Sequence, residues 1–283
     1  MKDTFSHLTS LEHTIRQHFL PALTGRRPPG DLERELFALP ARHVGLWIAN
    51  PAKCAELEFA NSVRMVALLT ERIIQQSHSL GRSCTDVQRN RAVQHAEKAK
   101  VHRESAATLL PGLALDTRRA VEMAAEKGAS NWLTTIPLER HGFALYKGAF
   151  RDALCLWYHW PPPLLPTHCC CNEPLTITHA LSCPTGGFPS LRHTELRDNI
   201  AQLMDEVCKD VCIEPELQSL TNEGLVGRTA NREDGARLDI AATDFWGNGT
   251  QRAFFDVQVF NPCALLTHSL SPHSIYACNE KEK

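Results

Sequence analysis

The sequence predicts an α+β protein with a helical first half, a cysteine- and histidine-bearing segment, and then a helix followed by short strands. Three observations carry this reading. Segments of the first 160 residues show apolar residues at three- and four-residue spacing, the period of a helix with one buried face. The triple proline Pro161-Pro162-Pro163 then interrupts the chain stiffly. Beyond it, RLDIAATDFWGNGTQRAFFDVQVFNP breaks into β-like runs about Asn248-Gly249, a strong hairpin signal.

The elements follow in order. FLPALTGRRPPGD ends one helix and lets Asp31 cap the next, DLERELFAL. The turn at Ala49-Asn50-Pro51 opens AKCAELEFANSVRMVALLTERIIQQ, in which Leu57, Phe59, Val63, Val66, Leu69 and Ile73 form an amphipathic stripe. A polar helix spans Thr85 to about Leu110, richer in Arg and Lys than in acids up to Arg103, and Pro111-Gly112 closes it. A solvated face is the plain reading of that helix; a phosphate-contacting strip is the sharper one. Helices about Asp116 to Lys127 and Lys147 to Trp157 complete the first half. After the prolines, LRHTELRDNIAQLMDEVCKDV reads as a helix whose stripe is Leu196, Ile200, Leu203, Met204, Val207 and Val211. The expected division is 1–160, 161–190 and 191–283.

Bulk properties narrow the function. With 283 residues, 43% of them hydrophobic and 22% charged, the composition is that of a soluble globular protein of one large or two ordinary domains. A formal net charge of -2 gives no overall basic field, so nucleic-acid binding would rest on local patches. The N-terminal twenty residues lack the apolar core of a secretory signal, and no run approaches the roughly 18 apolar residues of a membrane span. The expectation is an intracellular protein that engages no membrane and keeps its thiols reduced. Eleven cysteines, an odd number, fit a disulfide framework poorly.

The segment THCCCNEPLTITHALSC holds Cys169, Cys171, His179 and Cys183 at C-x-C-x7-H-x3-C spacing. Thiolate and imidazole are the ligands tetrahedral zinc prefers, and four of them close a structural site. In a helical HALSC, His179 and Cys183 share one face, and Asn172-Glu173-Pro174 turns the cysteine pair back toward it. His168, Cys170 and His193 compete for ligand positions. An unmetallated cysteine cluster and redox chemistry remain open at this point.

With Asn248-Gly249 as a two-residue loop, Asp239 lies opposite Gln258 and Asp256 opposite Ala241, all on one sheet face. Phe255, Val257 and Val259 point to the other, core face. Two carboxylates so placed can share a hard divalent cation. Glu195 and Asp198 on the preceding helix are further metal candidates, with Glu206 more remote. Arg192, His193 and Arg197 lie where a phosphate would meet the start of that helix. The plain alternative is a solvent-facing hairpin with ordinary surface charges around it.

The order of Cys/His cluster, Asp, hairpin and D-x-Q resembles the C-terminal region of non-LTR-type retroelement polyproteins. There a zinc-knuckle-like motif adjoins a restriction-endonuclease-like domain of the PD-(D/E)xK superfamily. FLPALTGRRPPGDLERELFALPARHVGLWIANP is similar to the helical segment after reverse transcriptase, and PLERHGFALYKGAFRDALCLWYHWPPP to the stretch before the zinc motif. The resemblance implies a helical region, a zinc segment and a truncated α/β endonuclease domain. Asp239 matches the Asp of the PD element, Asp256 the first acid of (D/E)xK, and Gln258 the lysine position. Leu238 replaces the proline before that Asp, Gln258 replaces the lysine, and Trp47 stands where a glycine is expected. No Asp-Asp reverse-transcriptase motif is present.

What the resemblance implies is a DNA endonuclease in which Asp239 and Asp256 hold catalytic Mg2+ and Gln258 takes the lysine position; Glu195 joins this catalytic set from the residue pattern of the preceding helix. Zn2+ would be structural. The implied partners are DNA or RNA and a reverse transcriptase acting in trans; the implied location is nuclear when genomic DNA is the target. The rival readings are a non-catalytic zinc-stabilised nucleic-acid-binding or scaffold protein and a decayed fragment without activity.

Overall fold

The computed structural model describes residues 2–76, 83–186, 188–216, 237–247, 249, 251–260, 270, 274, 275 and 277, with side chains apart from those of 2–6, 68, 69 and 83–87. The chain divides into two compact units, Met1–Pro163 and Leu164–Lys283, the break falling at the end of the triple proline. The described residues are mostly helical with one small three-stranded sheet, an α+β composition. The cysteine segment belongs to the second unit, where its short helix packs on the longer helix that follows.

In the first unit, α1 (Lys2–Thr14) continues through a π turn into α2 (Leu20–Thr24), which ends at Gly25 with φ +74°. The Gly25 amide donates to the Pro21 carbonyl at 2.8 Å, so the residue that ends the helix is the one that tolerates a left-handed backbone. α3 spans Asp31–Ala38, and its cap is Gly30 where Asp31 was expected. The Glu33 carboxylate accepts from the Gly30 amide at 3.0 Å, half of a capping box, which frees Asp31 to pair with Arg16 at 2.8 Å.

α4 (Pro51–Ile74) begins as expected, with Asn50 Oδ1 accepting from the Lys53 amide at 3.1 Å and proline in the first helical position. Its stripe does not become core. Leu57, Phe59, Val63, Val66 and Ile73 are all exposed, and the side chain of Leu69 lies outside the described residues. α5 (Ser83–Leu109), α6 (Leu115–Ala124), α7 (Asn131–Thr134) and α8 (Lys147–Trp157) follow. The core forms where α2, α3, α6 and α8 meet, from Leu20, Leu36, Phe37, Val121, Leu154 and Tyr158. Tyr158 is fully buried, and its hydroxyl donates to the Val44 carbonyl at 2.8 Å, which satisfies the polar end of a buried aromatic.

The second unit holds α9 (Ile177–Ser182), α10 (Phe188–Asp205) and an antiparallel sheet in the order β1 (Lys209–Ile213), β2 (Ile240–Thr243), β3 (Arg252–Phe255). α10 stops six residues before the expected end at Val211, because the chain turns at Glu206–Val207 and enters β1. Only part of the expected stripe is therefore helical core. Ile200, Ala201 and Met204 pack on Ile240 and Ala242, and Val211 joins them from the sheet. Leu196, Leu203 and Val207 are exposed.

The hairpin also differs from its expected form. β2 and β3 pair as Ile240 with Phe255 and Thr243 with Arg252, so the register is two residues away from a loop centred on Asn248-Gly249. Asp244, at φ +71°, accepts from the Gly249 amide at 2.7 Å and closes a longer connection over 244–251. Asn248 itself lies outside the described residues. A shift of two leaves every side chain on its expected face. Phe255 and Val257 accordingly face α10.

Candidate metal centre and hairpin acids

The metal centre is built by a turn and a helix. Thr167 accepts from the Leu175 amide, and Cys169 exchanges backbone contacts with Glu173 and Asn172 at 2.9 Å. Asn172, at φ +71°, supplies the left-handed residue of the turn. Thr176 then caps α9, its hydroxyl accepting from the His179 amide at 3.0 Å. One helical turn on, the Cys183 amide donates to the His179 carbonyl.

These local structures bring Cys169, Cys171, His179 and Cys183 into one Cys3His cluster, with all ligand atoms within 4.8 Å of one another. Cys183 Sγ lies 3.8 Å from both Cys169 Sγ and Cys171 Sγ, and Cys171 Sγ lies 3.3 Å from His179 Nε2. Zn–S bonds of about 2.3 Å and Zn–N bonds of about 2.0 Å give tetrahedron edges of about 3.8 Å and 3.5 Å. The cluster therefore has the dimensions of a tetrahedral metal site and can bind a metal such as zinc.

The protonation chemistry divides the thiols. The Cys171 amide, together with neighbouring thiols, pulls the Cys169 thiol down to about 7, and the Thr185 amide lowers Cys183, whereas Cys171 is raised, the Glu173 backbone bond that lowers it being outweighed by burial and the Cys169 and Cys183 thiols. Thiolates are the species that bind metal. Among the competing ligands, Cys170 is exposed with its sulfur 3.7 Å from Cys169, and His168 bonds Thr167 at 3.1 Å. His193 is engaged elsewhere.

That engagement is at the hairpin. His193 Nε2 lies 3.3 Å from the Asp239 carboxylate, which also accepts from the Val257 amide at 2.6 Å. The Asp239 amide in turn donates to the Phe255 carbonyl at 3.1 Å. The β2–β3 pairing ends at Ile240 with Phe255, two residues away from the expected register, and Asp239 and Asp256 are the residues just beyond that last pair. This corrects the expected pairings of Asp239 with Gln258 and of Asp256 with Ala241. Asp239 is largely enclosed, whereas Asp256 and Gln258 are exposed.

Glu195 is exposed on α10, and two residues along a helix place it about 200° around the axis from His193. Among the described residues, Glu195 joins no metal-holding cluster with Asp239 and Asp256; the Cys3His group is the one such cluster. Arg197 pairs with Asp198 and Glu214, which commits Asp198 to an ion pair. Glu206 is exposed beyond the end of α10. Sequence reasoning missed His193 as the partner of Asp239. Its signal was its place one turn before Arg197, on the face of α10 turned toward the hairpin.

No family model, curated protein or solved structure matches the chain. Among the described residues, no helix is long and apolar enough to cross a membrane.

Proposed function

We propose that the Leu164–Lys283 unit hydrolyses phosphodiester bonds of DNA with the help of a divalent cation, and that a zinc-filled Cys3His centre shapes the unit. The placing of Asp239 and Asp256 just beyond the last β2–β3 pair, Ile240 with Phe255, carries this reading. Neighbouring residues on two antiparallel strands lie within about 5–8 Å of each other, a span that two carboxylates can close around one cation. The order α10, β1, β2, β3, with Asp239 entering β2 and Asp256 leaving β3, supports the resemblance to the PD-(D/E)xK nucleases.

In this reading Asp239 and Asp256 hold Mg2+, which when bound would supply Lewis-acid stabilisation of charge on the phosphate. His193 and the Val257 amide orient the Asp239 carboxylate. Gln258 can direct a water by hydrogen bonding but carries no positive charge. A retroelement origin, a nuclear location and a reverse transcriptase acting in trans belong to the same proposal. Purified protein should nick supercoiled plasmid in Mg2+ and stop when EDTA is added. Loss of nicking in Asp256→Ala supports the reading, and equal nicking by both proteins overturns it.

A second reading is a zinc-stabilised protein that binds nucleic acid without cutting it. One observation favours it: the Asp239 carboxylate already has two partners, and Glu195 is turned away. It predicts salt-sensitive binding, lost in Cys183→Ser, with no cleavage in any divalent cation.

A further inference from the structure

Trp47 holds a backbone conformation that suits glycine, with φ +58°. Main-chain contacts fix it there: its amide donates to the Leu39 carbonyl at 2.9 Å, and the amides of Leu46 and Ile48 both donate to Phe37. Gly45 makes the close approach possible, since a Cβ there would fall 1.9 Å from the Leu39 oxygen. Trp47 is nonetheless 65% exposed. A large ring on a strained backbone that stays out of the core needs a reason other than packing.

The surroundings supply one. The ring stands at the rim of a cavity of about 330 Å3 lined also by Leu57, Lys98, Val101 and His102. It meets the His102 ring edge-on at 6.1 Å, and His102 Nδ1 is buried without a hydrogen-bond partner. Lys53 and Lys98 are neutralised by Glu35 and Glu58. Arg42 and Arg103 are exposed and make no ion pair among the described residues. Both lie close enough to lower the pKa of His43, after the larger effect of its burial, and Arg42 and Lys98 act likewise on His102. The outcome is a local excess of positive charge on a chain of net charge -2.

We propose that Trp47, His102, Arg42 and Arg103 form a binding site for single-stranded nucleic acid. An unpaired base stacks on the indole over the cavity, and the two guanidinium groups hold flanking phosphates. An aromatic platform beside unpaired cations is how single strands are held without sequence preference, because every base presents a π face. A duplex keeps those faces covered. The site lies within the Met1–Pro163 unit and is independent of the hydrolytic reading.

The test is fluorescence anisotropy of labelled oligothymidylate and oligouridylate with the full chain and its variants. Trp47→Gly removes the ring but suits the left-handed backbone, so its melting temperature should equal or exceed that of the wild type. Its affinity should fall about tenfold, while Trp47→Phe keeps most of the binding. Each of Arg42→Gln and Arg103→Gln should make the log-log salt dependence shallower by about 0.7. A preference for either oligomer supports the site and assigns the natural strand. Unchanged affinity in a folded Trp47→Gly, or equal affinity for a duplex of the same sequence, overturns it.

Discussion

The Sγ atoms of Cys171 and Cys183 lie 3.8 Å apart, the edge length of a zinc-centred tetrahedron, although one sits in a turn and the other ends a helix. The Asn172 turn and the Thr176 cap fix both ends of that short path. The metal geometry is thus written into local backbone structure.

Zinc content should follow this geometry residue by residue. The wild type, dialysed against metal-free buffer, should retain about one zinc per chain by mass spectrometry of the metal. Cys183→Ser and His179→Ala should lose it, whereas Cys170→Ser and His168→Ala should keep it. Retention in Cys183→Ser together with loss in Cys170→Ser would reassign the ligands.

Chelation should unfold part of the molecule rather than all of it. A closed metal site contributes its binding free energy to the unit that carries it. Hydrogen exchange after zinc removal should therefore rise in α9 and at the start of α10, while α3 and α8 of the other unit keep their protection. Equal loss of protection in both units would show that the centre does not act locally.

In the first unit, Arg34 is 2% exposed and donates to both Glu12 carboxylate oxygens at 2.7 Å. It also donates to the carbonyls of Ile48 and Ala49. Removing one partner leaves a buried charge, so Glu12→Ala should destabilise unit folding by about 3 kcal/mol in urea titration. The double replacement Glu12→Leu with Arg34→Met should recover part of this loss, because it leaves neither charge behind.

Asp244 gives a pH signature to the hairpin. The Gly249 amide, then Lys209 at 3.2 Å, hold its carboxyl below the ordinary carboxylate value. A group whose folded pKa is depressed stabilises the fold above its unfolded value and loses that effect as pH falls through the folded one. The melting-temperature gap between wild type and Asp244→Ala should accordingly be full at pH 7 and close below about pH 4. A gap that persists at acid pH would mean that the side chain acts by packing.

The sequence made the cysteine cluster legible because its four ligands lie within fifteen residues and need only one turn and one cap. The hairpin faces were legible from alternation, but the register was not. Asp244 folds its own carboxylate into the loop, and Asn248-Gly249 outweighed that signal. The end of α10 was hidden because Val207 and Val211 continue a helical period that the chain abandons for β1. The stripe of α4 shows the opposite limit: periodicity marks a face without saying what covers it. Arg34 in the core and His193 on Asp239 were out of reach for a pattern of apolar spacing, since polar partners meet only in the folded chain.

The hydrolytic reading is tested most directly by the single-turnover rate of plasmid nicking in Mg2+ by Asp239→Asn and wild type at matched zinc content. The substitution keeps the shape of the side chain and a hydrogen-bond acceptor for the Val257 amide, but removes the charge that would hold the cation. The account predicts wild-type nicking and a fall of about a hundredfold or more in the variant. Equal rates, or no Mg2+-dependent nicking by the wild type, would contradict it.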